Sequence, residues 1–156
     1  MRNFKLKFEQ NWPKPLLITM NSEGGIYWSA LQAASLAGSL EITRLLLENG
    51  AEVNAKGGMY GNALQAAAAT VKLWLENEMD AKGREYEDVL QSSAAIVKLL
   101  LENGAEVNAE GGRFGNALQA ASCQGSEVIV KILLDNGAEV NAEVKQYVNG
   151  LQAAMV

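Results

Sequence analysis

The chain has 156 residues, 49% of them hydrophobic, with a net charge of −5, one cysteine and no histidine. An acidic chain with scattered cations is no binder of phosphate backbones, which needs a basic face to displace counterions. Without histidine and with Cys123 alone, neither an intrachain disulfide nor a Cys/His zinc site can be built. The commonest general base is missing as well. No catalysis, no cofactor, no metal, no nucleic-acid partner and no small-molecule substrate are therefore expected.

Residues 1–19 (MRNFKLKFEQNWPKPLLIT) show no helical period, and Pro13 and Pro15 break any helix there. The apolar run 15–20 (PLLITM) is too short for a signal peptide or a bilayer span, so no membrane association is expected. A soluble intracellular location follows as the expectation, cytoplasmic rather than nuclear. Residues 20–28 (MNSEGGIYW) are turn-rich. Ser29 then stands three residues before Gln32, the pattern of a capping box, in which an N-cap side chain and the N3 Gln satisfy two orphan N–H groups reciprocally. A short helix (ALQAASL), a glycine corner at Gly38, an apolar helix (LEITRLLLE) and a stop at Asn49-Gly50 follow.

The loop AEVNAKGGMYGN (51–62) ends on Asn62, paired with Gln65 in a second box. The stretch ALQAAAATVKLWLEN then runs on with no glycine or proline, which predicts one continuous helix over 63–78. Asp88 with Gln91 reads as another box, opening a helix over 89–103 (VLQSSAAIVKLLLEN) after a distorted turn at 79–87. Asn116 with Gln119, a corner at Gly125, the helix EVIVKILLD and a stop at Gly137 repeat the first unit, and Asn149 with Gln152 begins the next.

The chain is thus written in copies. The Leu of "LQ" recurs at Leu31, Leu64, Leu90, Leu118 and Leu151. The two middle copies lack the corner found as SLAGS (35–39) and SCQGS (122–126). One full repeat carrying a 21-residue insertion is an alternative, but AKGREYEDVLQSSA matches AKGGMYGNALQAAA and favours two shortened repeats. Their long helices are expected to pair as one oversized antiparallel hairpin. Neither helix of a unit can bury its apolar side alone, so the copies must stack.

The phrases NALQAAA (62–68), NALQAAS (116–122) and LLENGAEVN (46–54, 100–108) resemble the ankyrin repeat, two helices and a β-turn finger in 33 residues. Here Gln stands at the family's His and Asn-Ala or Ser-Ala at its Thr-Pro. The combination YGNALQAAS…VKLLLENGAEVNAxGG is similar to arrays attached to fungal NACHT-type signalling NTPases. The resemblance implies an all-α, ankyrin-like solenoid with short β-turn fingers and two internal repeats shortened. Residues 1–19 would be an irregular leader and 20–156 the repeat domain. Within it come a finger at 20–28, repeats at 29–61, 62–87, 88–115 and 116–148, and a partial copy at 149–156. No polar capping repeat stands at either end, so the chain reads as a segment of a longer array.

The same resemblance implies a protein partner, bound through the fingertips and the ends of the first helices. The candidates are Met59, Tyr60, Arg113, Phe114, Gln146 and Tyr147 on the fingers, with Leu36, Cys123 and Gln124 on the helices. Met59, Arg113, Gln146 and the helix-end residues vary between copies while the Leu-Gln of the phrase does not, as on a binding face carried by a fixed scaffold. The recurrent aromatic (Tyr27, Tyr60, Tyr86, Phe114, Tyr147) has a second explanation, a finger-on-finger packing ladder. The alternative for the whole chain is a degenerate or truncated scaffold segment with no binding role of its own.

Overall fold

In a computed structural model the chain is described over residues 29–77 and 83–143, with the side chains of 71–77 and 83–86 left aside. Among those residues there are six helices: α1 (Ala30–Leu36), α2 (Leu40–Glu48), α3 (Ala63–Asn77), α4 (Gly83–Glu102), α5 (Ala117–Gln124) and α6 (Glu127–Asp135). Each packs against its partner in the pairs α1/α2, α3/α4 and α5/α6. The first members pack side by side as α1, α3, α5 and the second members as α2, α4, α6, giving two helical layers around one core. No described helix is long and apolar enough to cross a membrane.

The helix starts obey local chemistry. Ser29 Oγ accepts from the Gln32 N–H at 3.2 Å, Asn62 Oδ1 from Gln65 at 2.9 Å and Asn116 Oδ1 from Gln119 at 2.8 Å. At Asn62 the box closes completely, its N–H donating to Gln65 Oε1 at 3.1 Å. The stops are local too. Gly104 takes a φ of +87°, its N–H donates to the Leu101 carbonyl and the next N–H to Leu100, so the last carbonyls of α4 find partners.

α3 is continuous from Ala63 to Asn77, because nothing after Ala66 interrupts it. Ala66, Ala67, Ala68 and Ala69 are all fully buried, and these small side chains let α3 lie between α1 and α5.

The expectation for α4 needs correction. The helix begins at Gly83, so Asp88 is no N-cap, and residues 83–87 are helical rather than part of a finger. Gln91 is exposed and its amide reaches Glu87 one turn back at 3.4 Å, an ordinary i−4 contact. The cause is again local: REYEDVLQ holds no breaker, so the helix is continuous from Gly83 to Glu102. The intervening residues 78–82 lie outside the described residues, as do the finger 20–28 and the copy at 149–156.

At 20 residues α4 measures about 30 Å and α3 about 22 Å, against roughly 13 Å for α6. The α3/α4 pair nevertheless fills one place in the stack, since α1 and α5 each pack on α3, and α2 and α6 on α4.

Candidate functional site

Two extended fingers, 51–62 and 105–116, project from the stack beside each other. Each closes on itself: the Gly57 N–H donates to the Gly61 carbonyl at 2.7 Å and Gly111 to Gly115 at 2.8 Å. They are also joined directly, the Arg113 N–H donating to the Met59 carbonyl at 2.7 Å. The Tyr60 and Phe114 rings stack with centroids 6.5 Å apart, and the Arg113 guanidinium lies 5.2 Å from the Phe114 centroid. Tyr60 is 1% exposed, and burial pushes its phenol above the usual tyrosine range while the Arg113 charge pulls weakly the other way. Gly112 has a φ of +63° and sits against the first finger, where a Cβ would meet the Tyr60 carbonyl carbon at 2.5 Å.

Side chains lock the fingers to the helices. The buried Gln65 amide donates to the carbonyls of Ala109 and Gly115, both at 3.0 Å, while its oxygen caps α3. Gln32 does the same one unit earlier, donating to Gly57 at 3.2 Å and Gly61 at 3.1 Å. On the far side of the loops Asn54 accepts from the Glu106 N–H at 2.8 Å and donates to the Gly104 carbonyl at 2.9 Å. Asn108 repeats this with Glu139 at 2.9 Å and Gly137 at 3.1 Å. The Gln bonds thereby tie each finger to the first helix of its own unit, and the Asn bonds staple each loop to the next unit in the stack.

This repeating arrangement has counterparts. A family model described as ankyrin repeats (3 copies) matches residues 70–144, and the single ankyrin repeat matches 27–58. The chain is an ankyrin-repeat protein. Among solved structures, the human ASB11 ankyrin repeat domain is similar, with 28% identity and a TM-score of 0.57. The likeness covers 74% of this chain and 42% of that one. The curated proteins contain no match. Ankyrin repeats generally serve as protein–protein interaction modules, and the fold is typically a non-enzymatic scaffold.

Within this ankyrin stack the candidate residues divide. Leu36 is 3% exposed and Tyr60 1%, so both side chains are spent on the core and neither is offered to a partner. Met59 and Phe114 are half-buried and pack on the same core. Arg113 and Cys123 are exposed, and Gln124 is half-exposed at the end of α5. Gln146 and Tyr147 lie outside the described residues. The stacked aromatics therefore serve as a ladder between fingers wherever both rungs are described. An open groove of about 360 Å³ adjoins α5 and α6, walled by Phe114, Leu118, Val130, Leu134 and Val140.

The residues that fix this geometry do more than their local pattern implies: the Gln of "LQ" holds a finger as well as capping a helix, and Asn54 and Asn108 bridge units. The signal was present: Asn recurs in every "EVNA" and Gln in every "LQ" although neither is apolar. An invariant polar residue inside an otherwise apolar phrase points to a buried or bridging hydrogen bond.

Proposed function

We propose that the chain is a non-catalytic protein-interaction module of a larger intracellular protein, cytoplasmic rather than nuclear, whose fingers and first-helix ends meet a protein partner. The observation that carries this reading is a division of labour within each copy. The repeated Leu, Gln, Asn and Ala side chains are consumed by stacking and stapling. Several positions that differ between copies face solvent: Lys56 and its counterpart Glu110, Arg113 where the other copy has half-buried Met59, and Cys123 where the other has buried Leu36. A rigid frame with variable exposed positions suits recognition, because the frame loses little entropy on binding. The phrase similarity to repeat arrays of NACHT-type NTPases supports a signalling protein as the larger context.

The test is capture of a partner by the full chain, followed by substitution. Lys56→Glu with Arg113→Glu should abolish retention while the melting midpoint falls by only a few degrees, since the Lys56–Glu106 pair and the Arg113–Phe114 contact that these changes remove are exposed and weak. Lys131→Glu, on the outer layer, should leave retention intact. Equal loss with either change, or no retention at all by the parent, sinks the proposal in favour of a scaffold segment without binding of its own.

A further inference from the structure

The stack repeats its contacts from unit to unit, so equivalent positions report what covers each face. In α6, Ile129 and Ile132 are 0% and 9% exposed, with α4 packed against the helix. The equivalent residues of α2, aligned through ENGAEVNA and DNGAEVNA, are Ile42 and Leu45, which are 45% and 58% exposed. The first layer shows the same contrast: Ala117 is 2% exposed, whereas Ala30 is exposed. The α1/α2 pair thus presents, on the side away from α3, an apolar face whose twin is buried inside the stack. We infer that residues 1–20 of this same chain cover that face as a cap that is not itself a repeat, with the run Pro15–Met20 lying over Ile42 and Leu45.

Four observations favour this occupant. The first is chemistry: PLLITM supplies apolar side chains and lacks charge, and Pro13 and Pro15 prevent the segment from forming a further helix pair. The second is reach. Ten residues lie between Ile18 and Ser29, where α1 is capped, so the eleven Cα–Cα steps reach about 36 Å when extended. Neighbouring helices lie only about 8–10 Å apart. The third is charge. Residues 1–20 hold Arg2, Lys5, Lys7 and Lys14 against Glu9, a net +3, so the rest of the chain carries −8. On α2 itself, exposed Glu41 and Glu48 outnumber Arg44. The fourth is tethering. A segment tethered to α1 through residues 21–28 acts at an effective concentration of about millimolar, which a second copy of the chain in dilute solution does not match.

The experiment is a double-mutant cycle in the full chain, using Leu16→Ala/Leu17→Ala and Ile42→Ala/Leu45→Ala. Each pair should lower the melting midpoint by a few degrees, and the quadruple variant should fall no further than the worse pair. Additive losses overturn the proposal. Should the quadruple variant not fold, chymotrypsin decides, applied well below the melt. Cleavage of the Leu17–Ile18 bond should accelerate severalfold in Ile42→Ala/Leu45→Ala, and an unchanged rate overturns the proposal. Sedimentation across a hundredfold dilution addresses the rival occupant. A monomer throughout is expected, whereas a dimer that Leu45→Glu dissolves assigns the face to a second copy and overturns the proposal.

Discussion

Replacing Gln65 removes the residue on which two levels of structure converge. Its side chain is 1% exposed, caps α3 through Asn62 and holds the second finger through Ala109 and Gly115. Gln65→Ala deletes three hydrogen bonds, each worth about 1 kcal/mol net, and orphans groups whose burial costs about 1–3 kcal/mol. Gly115 keeps a bond from the Gly111 N–H, so that carbonyl is not stranded. The expected loss is about 2–4 kcal/mol, read by urea unfolding followed through helical circular dichroism. Gln65→Glu sharpens the reasoning, since it keeps the shape and the capping oxygen but replaces the donor amide with a carboxyl oxygen that faces the Ala109 and Gly115 carbonyl oxygens.

The acid has a pKa of about 4.3 in the unfolded chain. In the folded chain, burial and the facing carbonyls hold the proton to higher pH. Between those two pKa values the folded state binds more protons than the unfolded, so the variant loses stability as pH rises through that window. Above the folded pKa the loss is complete. A profile parallel to the parent's from about pH 4 to pH 8 would refute the assigned donor role of Gln65.

The inter-copy staples make a weaker prediction, because they are exposed: Asn54→Ala and Asn108→Ala should each cost about 0.5–1.5 kcal/mol by the same urea assay, and the loss should appear as faster hydrogen exchange at Glu106 and Glu139 respectively. Two glycines with similar φ separate strain from collision. Gly125→Ala, with nothing within 4 Å of the new Cβ, should cost about 1–2 kcal/mol by urea unfolding, the strain of φ +71° alone. Gly112→Ala, driven into the Tyr60–Gly61 backbone, should cost clearly more and shift the near-ultraviolet signal of the stacked Tyr60 and Phe114. Continuous α3 and α4 predict unbroken amide protection through Ala66–Thr70 and Ser93–Val97; fast exchange at Ala68–Thr70 would show a corner there after all.

The sequence by itself determined the features whose causes lie within a few residues. Ser29, Asn62 and Asn116 start helices because the cap and its Gln are three positions apart, and the Asn-Gly pairs end them because positive φ is cheap there. The missing corner made α3 a rod for an equally local reason. The copied phrases announced a stack, since an amphipathic pair that recurs must find its neighbour. Only the tertiary structure decided what each position faces. Leu36 and Tyr60 read as binding-face candidates along the chain and are core in space, because the stacked copies cover them. Asp88 looks like a cap, yet α4 runs back past it to Gly83, where the helix begins. Gln65 reaches a finger 44 and 50 residues away, and Asn54 a loop 50 residues away. Such bonds depend on how copies sit against one another, and that placement is set by the packing of α3 between α1 and α5, which no window of neighbouring residues contains.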